Sequence, residues 1–237
     1  MRKIKKAFQL GWFGLRHPAQ FFIIWKVRRS GFSFLSWLAL AELSEAVFQV
    51  EKLGIQGSLI ETGCALGGSA ITITAAKNLE RPLFVYDTFE RIPPPSSLDG
   101  EDAHQRYEVI RSGQASGIRG GTYYGYLPDL KEQVQKNFEV SGYYLPQNRV
   151  TFVQGLFQDT LNYDGQVALA HLDCDWYESV MTCLQRIVPH LTLGGILIID
   201  DYKDWSGCRK AVDEYFSGQK EKYKFTFRSR LHIHRIA

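Results

Sequence analysis

Only four cysteines occur in the 237 residues: Cys64, Cys174, Cys183 and Cys208. They stand far apart, form no C-x-x-C pair and have no histidine at ligand spacing, so a disulfide scaffold is excluded. They read as free thiols of a reducing, cytoplasmic compartment, packed in a core. Long apolar runs are also missing. The stretches Phe21–Trp25 and Gly195–Ile199 fall far short of the roughly 20 residues of a membrane span. Neither a G-x-S-x-G elbow nor an H-E-x-x-H pair is present, which argues against a simple hydrolase. With 45% hydrophobic and 22% charged residues, the chain is not disordered, and its length suits one α/β domain with a small appendage.

Acids are missing from the first thirty residues, which carry eight Lys or Arg; the remainder holds 20 Lys/Arg against 25 Asp/Glu. A basic, aromatic-bearing arm therefore precedes a mildly acidic body. Lys3 to Lys6 followed by apolar residues imitates a secretory leader. Gly11, Gly14, Arg16 and His17 interrupt it, however, and no small-x-small site follows promptly. The expected role of the arm is packing on the domain or on a second copy, which makes a homodimer plausible. Peripheral contact with an anionic membrane, or with nucleic acid, stays open.

Leu35, Leu38, Leu43, Val47, Val50 and Leu53 recur mostly at three- and four-residue intervals, with Gly54 as a stop, and predict a helix over 34–53. The arm and this helix (1–54) precede a core domain over 55–237. There, β-rich runs at 58–61, 83–87, 150–154, 168–173 and 196–200 alternate with helical patterns at 69–78, 130–140, 179–191 and 206–216. Several runs are apolar on both faces, as in the centre of a parallel sheet covered by helices. The tail from Lys224 alternates at period two and predicts one or two last strands. Repeated β–α units imply a doubly wound sheet. Between the second and third strands lie about sixty residues, more than a crossover helix needs. Their Pro93-Pro94-Pro95 run, glycines and Tyr123, Tyr124 and Tyr126 suggest a lid over about 91–128; an ordered subdomain or a dimer contact is the alternative.

In an open α/β sheet, ligands bind beyond the carboxyl ends of the strands, where strand order reverses. Three features should converge there. Glu61-Thr-Gly63-Cys-Ala-Leu-Gly67-Gly68-Ser69 joins the first strand to its helix, where glycines let backbone approach a ligand and the helix start offers free N–H groups. Its spacing matches neither G-x-G-x-x-G nor G-x-x-x-x-G-K-[ST], which disfavours an NAD or ATP phosphate site. Ser69 is a candidate helix cap or ligand contact. Asp87, ending the second strand, is placed to accept from both hydroxyls of a ribose, or to cap the start of the next helical turn. After the third strand, Phe157 and Gln158 would supply a ring face and a polar edge for adenine, with Asp159 as a helix cap. Asp173, in His171-Leu-Asp173-Cys-Asp175-Trp-Tyr, and Asp200-Asp201 end two strands expected to be adjacent. Three carboxylates brought so close oppose ionisation unless a cation compensates, and an all-oxygen set favours Mg²⁺ or another hard ion over zinc. Separate capping roles are the alternative. Of the histidines, only His104, in the insertion, is a candidate for contact with substrate.

Taken together, these segments resemble the class I S-adenosylmethionine-dependent methyltransferases. More narrowly, Glu61–Ser69, Asp87-Thr-Phe-Glu90 with Pro93, Gly155–Thr160, Leu172–Ser179 and Ile199–Tyr202 resemble the macrocin O-methyltransferase family. The resemblance implies a Rossmann-like, mostly parallel seven-stranded sheet. It also implies a Mg²⁺-dependent O-methyltransferase acting on a hydroxyl of a sugar or another vicinal-oxygen natural product. By resemblance, Glu61, Gly63 and Ser69 belong to the cofactor site, with Gly63 and Ser69 at the methionine end. Asp87 would hold the ribose, Phe157 and Gln158 would flank adenine, and Asp173, Asp200 and Asp201 would hold the metal. Asp173 is the first candidate for the base that deprotonates the acceptor and Asp175 the second. The chain departs from the family at Thr88 and Cys174, and at Arg91-Ile92 before Pro93, which bears on the acceptor more than on the cofactor. A nucleic-acid methyltransferase would leave the metal triad without a role. A non-catalytic binding protein on the same fold is the other competing class.

Overall fold

A computed structural model describes residues 2–237, with side chains from Ala7 onward; Met1 and the side chains of Arg2, Lys3, Lys5 and Lys6 lie outside that description. The arm comprises α1 (Arg2–Arg16) and α2 (Pro18–Ser30), followed by α3 (Trp37–Lys52). The alternating region then runs β1 (Ser58–Thr62), α4 (Gly68–Ala76), β2 (Leu83–Asp87), α5 (Glu101–Arg111), α6 (Leu130–Val140), β3 (Val150–Gln154) and α7 (Phe157–Thr160). It continues through β4 (Val167–Leu172), α8 (Tyr177–Ile187), β5 (Leu191–Ile199), α9 (Ser206–Phe216), β6 (Tyr223–Phe227) and β7 (Leu231–Arg235).

One seven-stranded sheet has the order β3-β2-β1-β4-β5-β7-β6. β1 to β5 are mutually parallel, and β7 is antiparallel to both its neighbours. The doubly wound, mostly parallel sheet expected from the apolar runs is therefore present, and the alternating tail forms two strands. β1 and β4 are buried at every position because helices cover both faces. Leu59, Leu169, Ile196 and Ile198 face α2, α3, α4 and α6, while Ile60, Ala170, Leu172, Leu197 and Ile199 face α8 and α9.

Local chemistry sets the boundaries. Ser36 caps α3 by accepting from the Ala39 N–H at 3.2 Å, and Gly54 at φ +63 follows its end. α8 begins at Tyr177, two residues before the expected start. The carboxylate of Asp99, 78 residues away in the insertion, accepts the Tyr177 N–H at 2.7 Å. The same helix stops at Ile187, ahead of Pro189. β5 is longer than expected because Leu191–Leu193 pairs beside Val167 across a shift in register.

The long insertion is folded. Ile110, Ala115 and Tyr123 form a small core of its own, with Ile92, Tyr124 and Tyr126 packed against it. Asp102 accepts the Ser206 N–H at 2.8 Å and so caps α9, as Asp99 caps α8. Trp176 Nε1 donates to the Pro93 carbonyl at 2.9 Å. The segment is tied to two core helices through Asp99 and Asp102. In the arm, Gln20 Nε2 donates to Ser44 and to the Thr72 carbonyl, both at 2.9 Å, which pins α2 against α3 and α4. All four cysteines are free and buried. Among the described residues no helix is long and apolar enough to cross a membrane.

Candidate active site

The register of the sheet brings the ends of five strands to one level. Thr62 pairs with both Tyr86 and Leu172, Asp87 with Gln154, and Leu172 with Ile199. The next backbone bonds continue the ladder: Gly63 donates to Tyr86, Asp173 to Thr62 and Asp200 to Leu172, at 2.8 to 2.9 Å. Gly63, Asp87, Asp173 and Asp200 therefore stand side by side at the carboxyl edge, where the order reverses between β1 and β4.

Two cavities open there. One, of about 260 Å³, is lined by Gly63, Asp87, Leu156, Phe157, Gln158 and Asp173 among others. The second, of about 340 Å³, is lined by Phe34, Arg106, Asp175, Asp200, Asp201 and Arg230 among others. They share Gly63, Asp87, Ile92, Tyr124, Asp173, Asp175 and Trp176, so they are two chambers of one site beneath the insertion.

Gly63 is left-handed at φ +81, and a Cβ there would run into the carbonyl oxygen of Asp173. Only glycine lets the chain turn this closely beside β4. Asp87 accepts the Cys64 and Phe89 N–H groups, both at 2.7 Å; burial raises its pKa against these bonds. Ala65, Phe89 and Asp175 also have positive φ, at 47, 53 and 56 degrees. Of these, Ala65 and Asp175 line the second chamber, which puts strained backbone at its wall.

The acids cluster as the motifs suggested, with Asp200 as the pivot. Ligand atoms of His171, Asp173 and Asp200 lie within 4.8 Å of one another, and so do those of Asp200, Asp201 and Asp204. The expected set of Asp173, Asp200 and Asp201 is thus divided between two overlapping groups. Burial, then neighbouring carboxylates, push Asp173 and Asp201 well above the ordinary range. Burial likewise raises Asp175 to about 6, although its Oδ1 accepts from Trp205 Nε1 at 2.7 Å. Acids held so far from their preferred ionisation form an oxygen-rich set that a hard divalent cation would relieve, so the residues present fit Mg²⁺. Partial compensation already exists. Arg230 donates to Asp200 at 2.7 Å and to Asp204 at 2.9 Å.

Glu61 and Ser69 line neither chamber. Glu61 is fully buried between β2 and β4, with His171 Nδ1 at 3.0 Å. His171 Nε2 lies 3.7 Å from Asp200, too far for a hydrogen bond, and both it and Glu61 Oε2 lack a partner among the described residues. Burial alone would lower the pKa of His171, but Asp200 and Glu61 outweigh it and push it up to about 10. Glu61 thus lies beneath the chambers, with its carboxylate turned to His171. Ser69 is buried in the first turn of α4, whose cap position is Gly67. Asp159 lies inside α7 and does not cap it. His104 contacts the Ser96 carbonyl at 3.1 Å and lines neither chamber.

Sequence reasoning missed Asp204, Arg106, Arg230, Trp176 and Trp205. Asp204, three residues after Asp201, and Trp176, next to Asp175 in the same motif, had local signals. Arg230 arrives on the β6–β7 turn, which nothing in the motifs links to the acids.

The description "Macrocin-O-methyltransferase (TylF)" belongs to a family model that matches residues 28–225. The 8-demethyl-8-(2,3-dimethoxy-alpha-L-rhamnosyl)-tetracenomycin-C 4'-O-methyltransferase of Streptomyces olivaceus is 36% identical over 187 residues, covering 75% of this chain and 66% of that protein. The demethyldecarbamoylnovobiocin O-methyltransferase of Streptomyces niveus is 30% identical over 182 residues, covering 74% and 64%. The chain thus spans just under two thirds of the length of these relatives. Among solved structures, the O-methyltransferase NovP superposes with a TM-score of 0.71 at 25% identity, covering 87% of this chain and 83% of its own. The matched region runs from α2 through β6 and includes every strand end that builds the two chambers, so the chain belongs to the macrocin-O-methyltransferase family.

Proposed function

We propose that the protein transfers the methyl group of S-adenosylmethionine to a hydroxyl of a sugar or similar natural product with neighbouring oxygens, in a Mg²⁺-dependent reaction. The observation that carries this reading is the shared wall of the two chambers, where Gly63, Asp87, Asp173 and Asp175 face both. When bound, S-adenosylmethionine supplies an electrophilic methyl on a sulfonium, and the metal supplies positive charge that eases loss of a proton from the acceptor hydroxyl.

The chain's own residues do the rest. Asp87 would hold the ribose, and Phe157 and Gln158 would flank adenine in the first chamber. Asp173, Asp200 and Asp201 would hold the ion. Asp175 is the better base, which reverses the order suggested by the motif. A carboxylate engaged with a cation is less basic, whereas Asp175 has one oxygen on Trp205 and the other unbonded among the described residues. Asp175 would take and hold the proton of the acceptor hydroxyl as that oxygen becomes the nucleophile for the methyl group. Trp176, tied to Pro93, keeps the insertion over the reacting atoms and limits water. Rhamnosyl and novobiocin-type acceptors appear in the relatives' names and support a sugar hydroxyl.

Calorimetry with S-adenosylhomocysteine, and methyl transfer to a panel of deoxysugar glycosides with and without EDTA, test the reading. Binding is expected, with turnover lost in EDTA and restored by Mg²⁺; Asp200→Asn should lose about 10- to 100-fold in metal affinity or rate. Absence of binding would overturn the methyltransferase assignment. Turnover indifferent to EDTA and to Asp200→Asn would remove the metal.

A further inference from the structure

The arm carries an apolar surface that the site does not use. On α1, Phe8, Trp12 and Leu15 are 75%, 55% and 79% exposed, while Phe13 on the other side is buried in the core. On α2, Phe22 and Trp25 are exposed and their rings stack at 5.7 Å, while Gln20, Ile24 and Val27 face inward. Their spacing of three and four residues sets each group on one exposed helix face, with Trp12 at its edge bordering a groove toward Glu42, Glu45 and Arg228.

Cations border this surface. Lys26 Nζ sits 5.2 Å from the Phe22 ring centre and the Arg29 guanidinium 5.5 Å from that of Trp25. Arg119 of the insertion donates to the Arg28 and Arg29 carbonyls, both at 2.9 Å, adding a further exposed charge at the end of α2. Arg28 itself is spent on the carbonyls of Ser33 and Leu35. The acids nearest Trp12, Glu42 and Glu45, are engaged by Ser229 and Arg228. Nothing acidic occurs in residues 1–30.

We infer that α1 and α2 dock the protein on an anionic lipid surface, with the aromatic stripes at the headgroup level and the cations on lipid phosphates. Exposed Trp, Phe and Leu beside Lys and Arg, with low net hydrophobicity, are the marks of a helix that lies on a membrane and does not cross it. Charge complementarity selects this occupant over a second copy. A two-fold pair sets the same patch against itself, and here both patches would be basic. Large apolar side chains at the centre of the patch distinguish it from a purely phosphate-tracking surface. Docking would leave the second chamber beside the lipid, because Phe34, only a few residues past α2, lines that chamber and packs edge-on to Tyr124 at 6.0 Å.

Co-sedimentation of the full chain with phosphatidylcholine vesicles, with and without about 30% phosphatidylglycerol, tests this at an ionic strength of about 0.1 M. Binding is expected only to the anionic vesicles, with a blue shift of tryptophan emission and release by high salt. Replacing Lys26 and Arg29 by Gln should weaken binding about five-fold per charge. Phe8→Ser, Leu15→Ser and Phe22→Ser together should weaken it about ten-fold or more while circular dichroism stays unchanged, because all three side chains are exposed. The proposal is overturned by absence of binding to anionic vesicles, or by binding that the triple Ser variant leaves intact. Equally decisive against it would be a stable dimer in light scattering that the Ser variant dissociates, or equally tight, Ser-insensitive binding to RNA.

Discussion

The close packing of Gly63 against β4 can be tested against a second glycine of the same chain. Gly54 has φ +63 with open space where a Cβ would point, whereas Gly63 has φ +81 and the Asp173 carbonyl in the way. Alanine at Gly54 meets only the left-handed backbone penalty, about 1–2 kcal/mol. Alanine at Gly63 meets that and a clash with backbone, for which overpacking adds about 1–3 kcal/mol. At about 2–4 °C per kcal/mol for a chain of this size, Gly54→Ala should lower Tm by roughly 2–8 °C and Gly63→Ala by roughly 4–20 °C. A qualitative difference should accompany the numbers. Relief of the Gly63 clash must move the start of the loop that carries Asp173, so Gly63→Ala should also lose S-adenosylhomocysteine affinity about ten-fold or more, while Gly54→Ala keeps it. Differential scanning fluorimetry and calorimetry on the two variants read both effects. Equal Tm shifts with equal affinities would refute the packing argument.

Two further perturbations probe the layer beneath the site and the insertion over it. Because Glu61 and Asp200 hold His171 at about 10 against an ordinary 6.5, the folded state binds a proton there that the unfolded chain gives up earlier. That stability is complete below about 6.5 and lost as pH rises through about 10. Glu61→Gln should flatten the decline measured by urea denaturation between those values, and an unchanged slope would show that the pair does not couple folding to protonation. Asp99→Ala removes the carboxylate that caps α8 from the insertion, at a cost of about 1 kcal/mol. Because Asp99 also lines the first chamber, weaker S-adenosylhomocysteine binding by calorimetry is expected together with a higher acceptor KM from steady-state kinetics; both unaltered would mean that this clip positions neither chamber.

Much of this arrangement was legible because the signals are local. β1, β4 and most of β5 are buried on both sides, so their apolar runs betray a central parallel sheet. Asp87, Asp173 and Asp200 are each written at the end of such a run. The illegible parts depend on distance. The tie between Asp102 and Ser206 crosses 104 residues, and no spacing rule points to it from within the Gly- and Tyr-rich insertion. Arg230 reaches Asp200 because β7 inserts antiparallel beside β5, a pairing that an alternating tail does not specify. The orientation of Glu61 was hidden for a related reason: its side chain meets His171, its register partner on the neighbouring strand.

The charge arrangement explains why Asp200 and not Asp173 is the centre of the cluster. Asp173, Asp175, Asp201 and Asp204 surround Asp200, and Glu61 stands behind it across His171. The cations facing this group are His171, Arg230 and Arg106, the last close enough to lower the pKa of Asp175. Carboxylates outnumber cations, and buried like charges do not all remain ionised without compensation. Protons can make up the difference, as the raised Asp173 and Asp201 indicate, or a divalent ion can. Asp200 is the residue where the alternatives meet. It is bonded to Arg230, lies next to His171 and is common to both groups of candidate ligands. Its position one step beyond the Leu172–Ile199 pairing fixes it there by sheet register, so the folding of β5 onto β4 sets the electrostatics of the site before any ligand arrives.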